Sequence, residues 1–276
     1  MSYSDYECLK IRSEQGVAFV AIDHPPVNLF DMALIVEMDR VGRELEADSG
    51  VRAVVVHSAD PEIFIAHADV ELILSMPAEA PEKTDDLGFF QQMVDRFRTM
   101  PKATIAVIEG ICRGGGSELA LSMDMRFAAQ GRAVLGQPEV MVGIIPGGSG
   151  TQRLPRLMGR ARALEAILGG GDFSAEQAER YGYVNRALPL DELWPFVEGL
   201  AQRIASFPGE AIARAKAAVA AAEPAVVPGL KEEERLFREC VASPEARARM
   251  RAYMDAGGQT REVEVHGFMP PGSTTD

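Results

Sequence analysis

Apolar residues first gather at 17–22 (Val-Ala-Phe-Val-Ala-Ile), a run of strand length closed by Asp23-His24-Pro25-Pro26. From Asp31 the period lengthens. Leu34, Ile35, Met38, Val41 and Leu45 return every three or four residues with charges opposite, up to Ser49-Gly50, which predicts an amphipathic helix. Val51–His57 is rich in β-branched residues and predicts a strand. A short helix is expected over Asp69–Met76, and a longer one on Leu87, Phe90, Val94, Phe97 and Met100, ending before Pro101. Between them, 77–86 carries prolines and acids and reads as a polar loop.

Thr104–Glu109 is another strand-sized apolar run, followed by Gly110 and by Gly114-Gly115-Gly116. A helix is expected just after those glycines, over Glu118–Met123. Short strands near 125–129 and 133–135 precede a second Gly/Pro-rich stretch, Gly143–Gly150, read as a turn before a helix at Thr151. Ser174-Ala175-Glu176-Gln177 fits a capping box, and Ser243-Pro244-Glu245 places proline in a first helical turn. From about 190 to 256 only helices are expected. Strands and helices thus alternate through the first two thirds, an α/β pattern, and helices alone follow. The tail 267–276 is expected to be disordered. No repeat or low-complexity tract interrupts the chain.

Length and charge narrow the function. With 276 residues the chain can bury a full core without disulfide or metal staples. Its 28 basic residues face 41 acidic ones, a net charge of −13, which argues against nucleic-acid and membrane-surface partners because both require a positive field. Cys8, Cys112 and Cys240 are far apart, the usage of a reducing compartment, and offer no zinc site. The first residues carry charge where a signal peptide needs an apolar run, and no apolar stretch reaches membrane-spanning length. A cytoplasmic protein is expected.

Several kinds of site are absent from the sequence. Neither glycine-rich stretch contains the Gly-Lys-Ser/Thr of a P-loop, and neither Ser117 nor Ser149 completes G-x-S-x-G. The four histidines (24, 57, 67 and 266) lack H-E-x-x-H spacing. Three segments remain: Phe64-Ile65-Ala66-His67-Ala68-Asp69, a strand-to-helix junction; Glu109 through Leu119, with Gly114-Gly115-Gly116-Ser117-Glu118; and Gly136-Gln137-Pro138-Glu139, running on to Gly143-Ile144-Ile145-Pro146-Gly147-Gly148-Ser149-Gly150-Thr151-Gln152-Arg153-Leu154. Glycines before a helix leave backbone N–H groups free at the positive end of its dipole, where an oxyanion can be held. Glu118 and Glu139 could act together on a water. Taken singly, Glu118 is as simply a helix-start carboxylate and Glu139 a loop acid.

Together, G-G-G-x-E-L, G-Q-P-E and G-I-I-P-G-x-x-G-T-Q-R-L, in this order, resemble the enoyl-CoA hydratase/isomerase (crotonase) superfamily, with the likeness running from about residue 23 to 186. The resemblance implies a spiral of ββα turns over residues 1–200 carrying an acyl-CoA site. It also implies a helical C-terminal region, 201–266, used in forming a homotrimer or a dimer of trimers. A thioester carbonyl would be held by the backbone N–H groups of Ala66 and Gly115, with Ala66, His67, Ala68, Asp69 and Gly115 along the CoA ester. Glu118 would deprotonate a water attacking C3, and Glu139 would protonate C2 of a trans-2-enoyl-CoA. No metal and no cofactor beyond the CoA of the substrate is implied. The alternatives within the resemblance are an enoyl-CoA isomerase, which needs only the acid at Glu139, and an acyl-CoA-binding protein with little activity.

Two places depart from the family pattern. His67 stands where most members have glycine, and its ring is expected to turn to solvent. The stretch 245–259 lacks the E-G-x-x-A-F-x-E-K-R ending that often contacts CoA, which puts those contacts in doubt. Arg153 and Arg156 are expected to be solvated or between subunits, and Phe90, Met93, Phe97 and Met100 to line the core or an acyl pocket.

Overall fold

β1 (Leu9–Glu14) turns back through Gln15-Gly16, both at positive φ, to pair antiparallel with β2 (Val17–Ile22). α1 (Met32–Ala47) follows, capped by the Asp31 side chain, which accepts from Leu34 N–H. Three times the chain then lays a strand in one sheet, a short strand in a second sheet, and one or more helical segments. The first turn is β3 (Ala53–Ser58), β4 (Ile63–Ile65), α2 (Val70–Ser75) and α3 (Phe89–Thr99). The second is β5 (Ala103–Ile108), β6 (Ile111–Arg113) and α4 (Gly114–Ser122). The third is β7 (Met125–Ala129), β8 (Val134–Gly136), a 3-10 turn (Glu139–Val142), α5 (Gly150–Met158) and α6 (Arg160–Gly169). β9 (Phe173–Ser174), α7 (Ala175–Tyr181) and β10 (Arg186–Leu188) complete the sheets. The rest is helical: α8 (Leu190–Ala205), α9 (Gly209–Ala220), α10 (Val227–Ala242), α11 (Pro244–Asp255) and a π-helical turn, Val263–Gly267. The structure, a computed structural model, describes residues 3–79 and 86–267. The expectation of a disordered tail therefore lies outside the described residues beyond Gly267, as does part of the 77–86 loop.

The larger sheet has the order β1-β2-β3-β5-β7-β10 and the smaller β4-β6-β8-β9. Apart from the β1/β2 and β8/β9 pairs, neighbours run parallel. This is the spiral of ββα turns that the motifs implied. The inner strands β2, β3 and β5 are apolar on both faces because both faces are covered. Ala18, Val20, Val54, Val56 and Ala106 pack into the main core with α1, α3 and α4. Val17, Phe19, Ala53, Val55, Ile105 and Val107 pack instead beneath Leu193, Val197 and Ala201 of α8.

The structure moves one boundary and adds several strands. α4 begins at Gly114, so the glycines lie inside the helix rather than before it. Glycine is a poor helix former, yet a Cβ on Gly116 would lie 2.5 Å from Ile65 Cβ, so close approach to β4 decides the residue. Strands β1, β6, β9 and β10 were not predicted, while β4 matches the strand-to-helix junction expected at 64–69; β6, β9 and β10 are two or three residues long, too short for a period to show. The capping box on α7, with Ser174 and Gln177 reciprocally bonded, formed as expected. No helix among the described residues is long and apolar enough to cross a membrane.

Candidate active site

β4, β6 and β8 lie side by side and parallel in the smaller sheet, and their ends deliver the three segments singled out by sequence. Residues 66–69 follow β4, 114–118 follow β6, and 137–139 follow β8. Carboxyl ends of parallel strands are where α/β folds gather ligand-binding groups. A cavity of about 310 Å³ opens there. Its polar wall includes Glu118, Glu139, His67, Ala68, Asp69 and Gly115; Phe30, Leu72, Met76, Phe90 and Ile144 make much of the apolar wall. Met93, Phe97 and Met100 belong to the core instead.

Glu118, buried on α4, has one oxygen fully engaged: Oε1 accepts the N–H groups of Gly148 at 2.7 Å and Gly150 at 2.8 Å. Oε2 is left facing the cavity. Burial pushes this carboxyl above the ordinary range and repulsion from Glu139 adds to it, against the two N–H bonds and Arg153. Glu139 opens the 3-10 turn after Pro138, partly exposed to the cavity. Its carboxyl is also raised, first by burial and further by Glu233, against a bond from its own backbone. With the Gln137 amide assigned the orientation in which both its ends meet complementary groups, its nitrogen donates to Glu139 at 3.1 and 3.2 Å and its oxygen accepts from Ser117 Oγ at 3.0 Å. Ser117 in turn meets the Tyr183 hydroxyl at 2.6 Å. Two acids with raised pKa values facing one cavity can hold one proton between them.

The backbone donors differ in part from expectation. Gly115 is the second residue of α4, so its N–H has no helical acceptor. Ala66 does not face the cavity: it is fully buried, and its N–H is given to Val27 O at 3.3 Å. Ala68 occupies the cavity wall instead. In its parallel bridge with Phe30 the bonds are made by His67 O and Asp69 N–H, which turns the Ala68 N–H the other way. Among the described residues nothing accepts from it. Ala68 and Gly115 are neighbours, since a Cβ on Gly115 would lie 3.4 Å from Ala68 Cβ.

His67 is corrected too. Its ring is not turned to solvent: the residue is 7% exposed, with Nδ1 2.7 Å from Ala68 O and Nε2 2.9 Å from the Tyr253 hydroxyl. Glu264 Oε1 lies 3.2 Å from the same nitrogen. Burial alone would raise the Glu264 carboxyl, but hydrogen bonding and attraction from His67 and the Tyr253 bond bring it below the ordinary range. Asp69 caps α2 through Glu71 N–H and accepts from Gln259 Nε2 at 2.8 Å. The unusual C-terminal stretch thus folds over the strand ends and braces the 67–69 segment. Arg153 is likewise buried, donating to Ser149 Oγ and to the Asp95 carboxylate of α3 at 2.9 Å each, so a buried ion pair rather than solvent takes its charge. Among the described residues, no three His, Cys, Asp or Glu side chains form a group suited to a metal.

Two carboxylates and two backbone donors on one largely apolar cavity make an acid–base site able to polarise a carbonyl. The family description "Enoyl-CoA hydratase/isomerase" matches residues 12–260, and the chain belongs to that family. A protein named a probable enoyl-CoA hydratase from Rhizobium meliloti is 33% identical over 251 residues, covering 90% of this chain and 95% of that one. The short-chain-enoyl-CoA hydratase of Clostridium acetobutylicum is 33% identical over 247 residues, 89% of this chain and 94% of that one. A solved structure from Streptomyces avermitilis, provisionally named an enoyl-CoA hydratase, superposes with a TM-score of 0.86 at 38% identity, covering 95% and 96% of the two chains.

Proposed function

We propose that the protein hydrates a trans-2-enoyl-CoA at its C2=C3 bond. The observation that carries this reading is the convergence of Glu118 and Glu139 on the cavity that also holds Ala68 and Gly115. The thioester oxygen sits between the N–H groups of Ala68 and Gly115, which stabilise the enolate-like charge that develops during addition; one such donor is worth about 10²–10³ in rate. Glu118 Oε2, left free by the two bonds on Oε1, takes a proton from the water attacking C3. Glu139, held by Gln137, delivers a proton to C2. The CoA moiety belongs to the substrate, and no separate cofactor enters. A homotrimer or dimer of trimers is part of the reading; α9 buries no residue within the chain, and Val219 on it is 67% exposed.

The test is hydration of crotonyl-CoA and longer 2-enoyl-CoAs, followed as loss of enone absorbance. Glu118→Gln and Glu139→Gln should each lower turnover by about 10²–10⁴. If no 2-enoyl-CoA reacts while a 3-enoyl-CoA is isomerised, with Glu118→Gln active, the hydratase reading is wrong. Thermal stabilisation by acyl-CoA without turnover of either substrate points instead to a binding protein.

A further inference from the structure

Four consecutive backbone N–H groups at the start of α5 are divided alternately between two acids. Gly148 and Gly150 donate to Glu118 Oε1, at 2.7 and 2.8 Å. Ser149 donates to Glu233 Oε1 at 2.7 Å, and Thr151 to Glu233 Oε2 at 2.9 Å. Ser149, at φ 113°, breaks the regular backbone so that successive N–H groups fan outward into a concavity suited to anions. Glu233 comes from α10, 1% exposed, and also accepts from the Thr151 hydroxyl and from Gln91 Nε2. It is not part of the cavity wall.

We propose that Glu233 is a positioning residue for Glu118: by holding the Ser149 and Thr151 N–H groups, it directs those of Gly148 and Gly150 onto Glu118 Oε1 and leaves Oε2 aimed at the water. The proposal rests on Glu118 being the base. Without Glu233, the two freed donors would compete for Glu118 or recruit water, and the carboxylate would lose its fixed orientation. A second effect follows from charge. Glu233 repels both Glu118 and Glu139, while Arg153 on α5, paired with Asp95 on α3, attracts Glu118 and Glu233. Burial and Glu118 in turn raise the Glu233 carboxyl itself. An ionised Glu233 therefore makes Glu118 a stronger base.

Glu233→Gln is nearly isosteric and tests this with crotonyl-CoA as substrate and butanoyl-CoA, which cannot be hydrated, as binding probe. Wild type and Glu118→Gln are measured alongside. The expected result is a kcat lower by about 10- to 100-fold with KM unchanged. The limb where activity rises with pH should move down by about one unit. Butanoyl-CoA affinity should be retained. Unchanged kcat and pH profile, with Glu118→Gln inactive, overturn the proposal while leaving the hydratase reading intact. Equal losses of turnover and butanoyl-CoA binding overturn it in favour of a purely structural role. An active Glu118→Gln removes the hydratase reading and the proposal together. If Glu233→Gln does not fold, Thr151→Val, which keeps the backbone donors but removes the hydroxyl bonded to Glu233 and Gln152, should show a smaller fall in kcat; an unchanged kcat there overturns the proposal.

Discussion

The Nε2 atom of His67 lies 2.9 Å from the hydroxyl oxygen of Tyr253, 186 residues further along the chain. Around this contact the end of the described chain is fastened to two strand ends at once. Arg113, at the end of β6, donates to Glu264 O at 3.0 Å and to both Asp172 oxygens at 2.7 Å. Tyr253→Phe removes the hydroxyl shared by His67 and Glu264 and leaves a fully buried carboxylate short of a partner. Stability should fall by about 1–3 kcal/mol, seen as a lower urea midpoint at constant m. KM for the acyl-CoA should rise, since the 67–69 segment loses its brace. An unchanged midpoint would show that the contact contributes nothing.

The three raised carboxyls should make stability depend on pH with a definite sign. Burial and mutual repulsion hold Glu118, Glu139 and Glu233 above the usual carboxylate value. The folded protein therefore binds more protons than the unfolded chain between the two values. Their stabilising contribution is complete below about pH 4.3 and is lost as pH rises through the folded values. Glu264, held low, acts oppositely, and its contribution is lost only as pH falls through its folded value. The melting temperature should decline between about pH 5 and 8 and level off above, and decline less steeply in Glu139→Gln. Parallel slopes in the two proteins would refute the assignment.

Gly116→Ala reverses a familiar expectation. In an exposed helix the change gains up to about 1 kcal/mol. Here the new Cβ would lie 2.5 Å from Ile65 Cβ and 2.8 Å from Ile65 O. Forcing α4 off β4 should cost about 1–3 kcal/mol or more and displace Gly115 and Glu118 with it. Calorimetry combined with initial rates checks both effects; a stabilised, fully active variant would show that the two elements separate freely.

Gln137→Ala should spare binding and slow the chemistry. Gln137 is fully buried and links Glu139 to Ser117. Freed from it, the Glu139 carboxyl can turn away from C2, lowering kcat by about 10- to 100-fold with little change in KM. A proportionate rise in KM instead would place Gln137 in substrate binding.

The glutamates and the alternation of strand and helix were legible because each rests on local pattern. Leu34 to Leu45 traces α1 by period, and Asp31 marks its start. Glu118 and Glu139 stood out through their glycine and proline neighbours. What escaped depends on long-range contacts. Which of Ala66 and Ala68 keeps its N–H free is decided by Val27 and Phe30, some 40 residues away. The His67 ring is buried by Tyr253 and Glu264, which no local pattern couples to it. Glu233 left a faint trace: it falls on the same helix face as Leu230, Phe237 and Val241, where an acid must find buried partners.

The division of the α5 donors between Glu118 and Glu233 has a bearing on biosynthesis. A ribosome that has released only the first 200 or so residues has already supplied both acids of the proposed chemistry, but not α10. Until that helix docks, Ser149 and Thr151 lack their acceptor, and the fan of N–H groups has nothing to set its direction. On the proposed reading, the base is therefore held in its working orientation only once α10 has docked, after both acids have already been made.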